Sequence, residues 1–287
     1  MWHTQMAVCT GRSHWLRQQP GQDRTAQRTE NGVTAIALAD GAGSAPLSHL
    51  GAECAVQTVC RLLCQEFGVL YAAPTPQSLR QRIVETVQQA IARKAAQFQA
   101  QPSELACTLL AVAVCGDHYL LFHVGDGVIA YQKADRLLVA SKPANGEFVN
   151  TTTFVTSRQA ILNARVLRGV QPELEGFVLL SDGCEQSLYR KRTETVAPLL
   201  GHLLQWSELL RPEASSPMLQ AVLEQQIAQR TFDDCSLALL SRSGLRFGHW
   251  ERLTPRQQAR ILGIATQDRN RRRHRLRHVR MQFGRTG

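Results

Sequence analysis

Aromatic residues make up only 6% of this 287-residue chain, its eight cysteines form no CxxC pair, and no apolar run approaches the roughly eighteen residues of a membrane span. Scarce Phe, Tyr and Trp leave few stacking platforms for bases, so nucleic acid is not an expected partner. The cysteines, at positions 9, 54, 60, 64, 107, 115, 184 and 235, fall mostly in apolar segments, as reduced core thiols do. No Gly-rich phosphate loop is present, because GAGSA at 41–45 has neither the Lys nor the spacing of one. The N-terminus lacks an apolar stretch of signal-peptide length. No transmembrane segment and a cytoplasmic location are therefore expected.

Charge is unevenly placed. The net charge is +10, and about nine of those charges lie in residues 251–287, where eleven Arg face only Glu251 and Asp268. Thr254 followed by Pro255 is a good helix start. An Arg-rich extension over 247–287, helical or disordered, is thus expected behind a near-neutral body of 1–246, and an acidic partner suits it.

What the chain does have is a recurring device. Three apolar runs stop at an Asp-Gly pair: VTAIALA before Asp40 and Gly41, YLLFHVG before Asp126 and Gly127, and GFVLLS before Asp182 and Gly183. A further acidic pair, Asp233 and Asp234, precedes the run CSLALL. Such runs read as buried strands, so their carboxylates project from strand ends. Any one Asp-Gly is a common turn signal, and HVGDGVIAY around Asp126 reads well as a plain hairpin. Together, four acidic strand ends point to one cation site, because Mg2+ and Mn2+ prefer carboxylate, carbonyl and water oxygens.

The remaining pattern predicts strands at 6–10 and 33–39, helices near 51–67 and 77–99, and four strands at 107–115, 118–124, 128–133 and 136–140. Helices near 193–210 and 215–229 precede a last strand at 236–241. Strands adjacent in sequence imply antiparallel pairing, and paired helices imply outer layers, so the class is α+β rather than a doubly wound sheet.

The order GQD, ADGAG, ACTLL, VGDG, LLSDG and DDCSLALL resembles the metal-dependent serine/threonine protein phosphatases of type 2C over about residues 8–241. GRSH ahead of PGQD, DGAGS, and GEFVNTTTFVT with Glu147 and Asn150 resemble a small bacterial branch of that family. The resemblance implies two stacked, mainly antiparallel β-sheets flanked by helix pairs, an α-β-β-α sandwich. It also implies two Mn2+ or Mg2+ ions, with Asp40 bridging them, the Gly41 carbonyl on one, and Asp182 and Asp233 on the other. Asp23 would hydrogen-bond metal-bound water, and Asp126 matches the position that helps hold a third ion in some relatives. The implied reaction is in-line attack on a phosphoserine or phosphothreonine by a hydroxide that two divalent ions generate at neutral pH. The implied substrate is a phosphoprotein, the target of a bacterial Ser/Thr kinase.

Departures from the family pattern fall around the phosphate. Ala42 stands where animal relatives carry His, Gln18 where many carry a phosphate-binding Arg, and Gln22 where many carry Glu. His14 and Arg12, with Arg17 as an alternative, are the candidates to contact phosphate or leaving group. Gln186 lies where an Asp often assists the third metal, and Glu185 is its neighbour. Two other readings use the same residues. One is a catalytically weak regulatory or binding module tethered by its basic tail; the other is a hydrolase of phosphorylated small molecules.

Overall fold

The computed structural model describes residues 1–134, 136–143, 152–209 and 212–242, the side chains of 208–214 excepted. Met1–Ser243 form one compact unit. The loop with Glu147 and Asn150, and the extension 247–287, lie outside the described residues.

Two five-stranded antiparallel sheets make up the centre. In the first, strands run β1 (Trp2–Cys9), β12 (Cys235–Arg242), β9 (Leu174–Leu180), β6 (Val128–Lys133) and β7 (Arg136–Ser141). In the second, the order is β2 (Arg24–Glu30), β3 (Val33–Ala39), β4 (Leu109–Cys115), β5 (His118–Val124) and β8 (Arg165–Val170). Strands β10 (Tyr189–Arg190) and β11 (Thr195–Val196) form a separate small pair.

Side-chain alternation explains the layers. On β3, Ile36 and Leu38 join Leu110, Val112, Val114 and Leu121 against Ile129, Phe177, Leu179 and Leu240 of the other sheet. The alternate residues Ala35, Ala37 and Ala39 face outward, where α2 (Ser48–Tyr71) and α3 (Pro76–Gln97) bury Val56, Val59, Leu63, Ile83 and Ile91 over them. Small side chains on this face let α2 lie close to the strands. The opposite outer face packs α6 (Leu199–Leu209) and α7 (Pro212–Val222) through Leu200, Leu203, Leu204, Leu219 and Val222 onto Val178, Leu237 and Leu239. The result is an α-β-β-α sandwich, as the resemblance implied. A strand buried on both faces reads as one continuous apolar run, which is why VTAIALA and SLALLS were legible.

Three departures from the sequence reading have physical causes. Strands β2 and β8 were not expected; they are the two edges of their sheet, and RTAQRTE and RVLRGV are polar because an edge strand stays partly in water. Residues 193–198, expected as the start of a helix, hold β11 instead, which pairs with β10, and α6 begins at Leu199. Finally, HVGDGVIAY is not a hairpin. β5 pairs with β4 and β8, while β6 pairs with β7 and β9, so the chain crosses between sheets at Gly125–Gly127. Gly125 takes φ +121°, a backbone region open to glycine, and a Cβ there would meet Thr108 side-chain atoms at 2.6 Å. The short helices α1 (Arg12–Leu16), α4 (Ala160–Asn163) and α5 (Glu185–Leu188) sit in connecting segments.

Two glycines of α2 test the close packing. A Cβ at Gly51 would lie 1.9 Å from the Leu105 carbonyl oxygen, whereas one at Gly68 meets nothing within 4 Å. Gly51→Ala is expected to lower unfolding stability by about 1–3 kcal/mol, and Gly68→Ala to be neutral or to add up to about 1 kcal/mol, in denaturant titrations of each variant.

Candidate metal centre

Three strand ends deliver the acidic residues. Asp40 follows β3, Asp126 follows β5 at the crossing between sheets, and Asp182 follows β9 at the start of a short 3-10 turn. One carboxylate oxygen from each of the three lies within 4.8 Å of the other two. Oxygens so close suit a shared cation, since a divalent ion draws its oxygen ligands to about 2.0–2.6 Å.

The backbone around each is pinned. Thr108 Oγ1 accepts from the Asp40 N–H at 2.9 Å, and the Thr108 N–H donates to the Asp40 carbonyl at 2.8 Å. Gly41 pairs with Cys107 in an isolated bridge, and a Cβ on it would come within 2.8 Å of Ser48. Asp126 Oδ2 accepts from Thr152 Oγ1 at 2.6 Å. Gly183 presses against the segment before β12, with its Cβ position 1.9 Å from the Asp234 carbonyl oxygen.

Behind the trio, Asp23 is fully buried. Its Oδ2 accepts from Ser236 Oγ at 2.7 Å, and its Oδ1 has no partner. Burial raises the Asp23 pKa to about 6, against the opposing pull of the Ser236 hydrogen bond. Burial also lifts Asp40 well above the ordinary carboxylate range, reinforced by the charges of Asp23 and Asp182. Asp182 is pushed to about 7, first by burial and then by Asp126, Asp233 and Asp23. The crowding therefore disfavours full ionisation in the protein alone. A cation would reverse that, and the orphaned Asp23 oxygen would gain a donor if water accompanied the ion. The donor set thus fits Mg2+ or Mn2+: hard oxygens, negative charge and no sulfur ligand among the grouped residues.

Asp233 stands outside the trio but within electrostatic reach of both Asp40 and Asp182. Its neighbour Asp234, to which the sequence reading gave no role, organises the loop that leads to Asp23. Nearly fully buried, Asp234 accepts from the Gly11 N–H at 2.6 Å, from the Gln22 N–H, and contacts His14 Nδ1 at 3.0 Å. A buried carboxylate must be satisfied in this way, and no sequence signal separated it from Asp233 beyond adjacency. His14, with side-chain exposure of 9%, is thus turned toward Asp234. Arg12 donates to the Gln229 carbonyl at 2.7 Å and lies over the Phe232 ring. Glu185 has a buried Oε1 without a partner and pairs through Oε2 with Lys191 at 2.8 Å.

The profile of the protein phosphatase 2C family matches residues 10–226. A relative, serine/threonine-protein phosphatase 3 of Escherichia coli (strain K12), is 26% identical over 170 residues, covering 56% of this chain and 65% of that protein. The chain thus aligns with slightly under two thirds of that curated relative. Among solved structures, a Streptococcus agalactiae serine/threonine phosphatase superposes with TM-score 0.56 at 16% identity, over 84% of this chain and 99% of that one. The Staphylococcus aureus serine/threonine phosphatase Stp1 gives TM-score 0.58 at 13% identity, over 85% and 96%. At such identities these two establish a shared fold.

Two outcomes test the centre. Asp182 and Asp23 have folded-state pKa values raised above their unfolded ones, so the native state holds extra protons and their favourable contribution is lost as pH rises from about 4 to about 7. In chelator, the melting temperature is expected to fall across that window and to recover at pH 7.5 on adding Mn2+ or Mg2+; a flat profile with no metal response contradicts the cluster. Asp234→Ala is expected to cost about 3 kcal/mol or more, because two backbone N–H groups and His14 lose a buried charged acceptor, read by urea unfolding.

Proposed function

The chain belongs to the protein phosphatase 2C family, and on that premise we propose that it hydrolyses phosphoserine and phosphothreonine in proteins with the help of two divalent cations. The observation that carries the reading is the convergence of Asp40, Asp126 and Asp182 from three strand ends, with Asp23 buried beside them. Asp40, the Gly41 carbonyl, Asp182 and Asp233 are the residues that would hold the two ions, Mn2+ or Mg2+, with Asp126 available to a third. When bound, such ions supply Lewis-acid polarisation of phosphoryl oxygens and a hydroxide nucleophile at neutral pH.

This chain's own residues do the rest. Asp40 and Asp182 are held on rigid strand ends, so their oxygens need no reorganisation at the moment of reaction. Asp23 is placed to accept a hydrogen bond at its free Oδ1 from a water in the centre. Asp234 fixes the Gly11–Asp23 loop and thereby the position of Asp23. His14 and Arg12 lie in that same loop; to touch phosphate or leaving group, His14 would exchange Asp234, and Arg12 the Gln229 carbonyl, for the substrate. A planar guanidinium gains a bidentate contact in such an exchange.

We further propose a cytoplasmic location, a kinase-phosphorylated protein substrate and an acidic partner for the Arg-rich extension. Support comes from the charge of 251–287 and from the described residues containing no helix long and apolar enough to cross a membrane.

Phosphate release from a phosphothreonine peptide is the direct assay. Activity is expected with Mn2+ or Mg2+ and to vanish in chelator, and Asp40→Ala or Asp182→Ala is expected to lower kcat at least 1000-fold with folding intact. Turnover indifferent to chelator removes the assignment. Deletion after Arg246 is expected to leave peptide turnover within about twofold while weakening salt-sensitive association with an acidic partner.

A further inference from the structure

One sizeable cavity lies away from the carboxylates. It lies where β7 and β8, edge strands of the two sheets, both line a space of about 750 Å3, and it shares no residue with the acidic trio. That size is ordinary for a small-molecule pocket.

Its charge is mostly positive. Arg80, Lys142 and Arg165 line it against a single carboxylate, Glu194. Lys142 and Glu194 pair at 2.6 Å, which leaves the two guanidiniums. Arg80 spends Nη1 on the carbonyls of Leu162 and Ala164, at 3.3 and 3.2 Å, while its Nε is buried with no acceptor. Arg165 also has a buried nitrogen, Nη2, with no acceptor. Arginine stays charged in proteins, so each orphaned N–H needs an acceptor that no described side chain provides.

Behind Arg165 the wall is rigid and neutral. His123, its cross-strand partner, is fully buried and holds Ser141 Oγ at 2.7 Å through Nδ1. Burial, and next the Arg165 charge, keep that imidazole unprotonated, with a pKa of about 3. Ser141 lines the cavity itself and is fixed by this contact. Leu138 and Leu167 add apolar wall, while Val139 and Val166, also on the lining, pack toward the two outer cores.

We propose that this cleft is an anion site separate from the metal centre, taking a small organic phosphate. Arg165 and Arg80, which both line the cleft, turn their guanidiniums onto the phosphate oxygens, an exchange in which the buried N–H groups gain the acceptor they lack, and the ligand's apolar body lies along Leu138 and Leu167. Two guanidiniums approaching from different elements match the several acceptor directions of a phosphate. The site does not depend on catalysis.

The test uses the full chain in chelator, so that no divalent ion draws phosphate to the carboxylates. AMP and inorganic phosphate are titrated by calorimetry. AMP is expected to bind the more tightly, Arg165→Met to weaken it at least tenfold with an unchanged melting temperature, and Arg165→Lys to recover only part of the loss. Leu167→Asp, a change at a side chain already 46% exposed, is expected to weaken AMP at least fivefold and carries the test if Arg165→Met does not fold. No AMP binding at millimolar concentration overturns the proposal. So does AMP affinity equal in wild type and in both the Arg165→Met and Leu167→Asp variants, or AMP binding no tighter than inorganic phosphate.

Discussion

Everything at the functional end of this protein depends on carboxylates held closer together than they would choose. Asp40, Asp126 and Asp182 share one small volume with Asp23 buried behind them; burial raises the pKa values of Asp40, Asp182 and Asp23, and repulsion from neighbouring carboxylates adds to it for Asp40 and Asp182. A flexible loop would relieve such strain by moving apart. Here the acids stand just beyond the ends of strands whose side chains are locked in a two-sheet core, so the repulsion is stored as affinity for a cation.

The supporting contacts show how that crowding is maintained. Thr108 clamps the Asp40 backbone in both directions. Gly125 and Gly183 permit approaches of chain to chain that any side chain would prevent, one beside Thr108 and the other beside Asp234. On the N-terminal side, Asp234 gathers Gly11, His14 and Gln22, and so ties the loop bearing Asp23 to the beginning of β12. Asp233 and Asp234 thus divide the labour. The first projects charge toward the cluster, while the second is consumed by internal hydrogen bonds.

The same sandwich makes its second polar feature by the opposite means. At the metal end carboxylates crowd together; at the β7–β8 edge Arg80 and Arg165 carry buried N–H groups without a protein acceptor. That arrangement gives one fold two sites of opposite charge.

How much of this was legible in the primary structure depended on burial. Strands with both faces covered, such as β3 and β12, are mostly apolar, so they could be read directly, and so could the Asp residues that follow β3, β5 and β9. The edge strands β2 and β8 keep water on one side and carry Arg, Gln and Thr, which hid them. Local pattern also could not tell that β5 and β6 part company at Asp126, because a turn looks alike whether its strands pair or separate. Nor could it distinguish Asp234 from Asp233, or pair His14 with the former. Those were decided by tertiary structure, since hydrogen-bond partners more than 200 residues away have no trace in local order. Residue type alone determined the donor chemistry and the buried runs; the assembled sheets decided which donors meet.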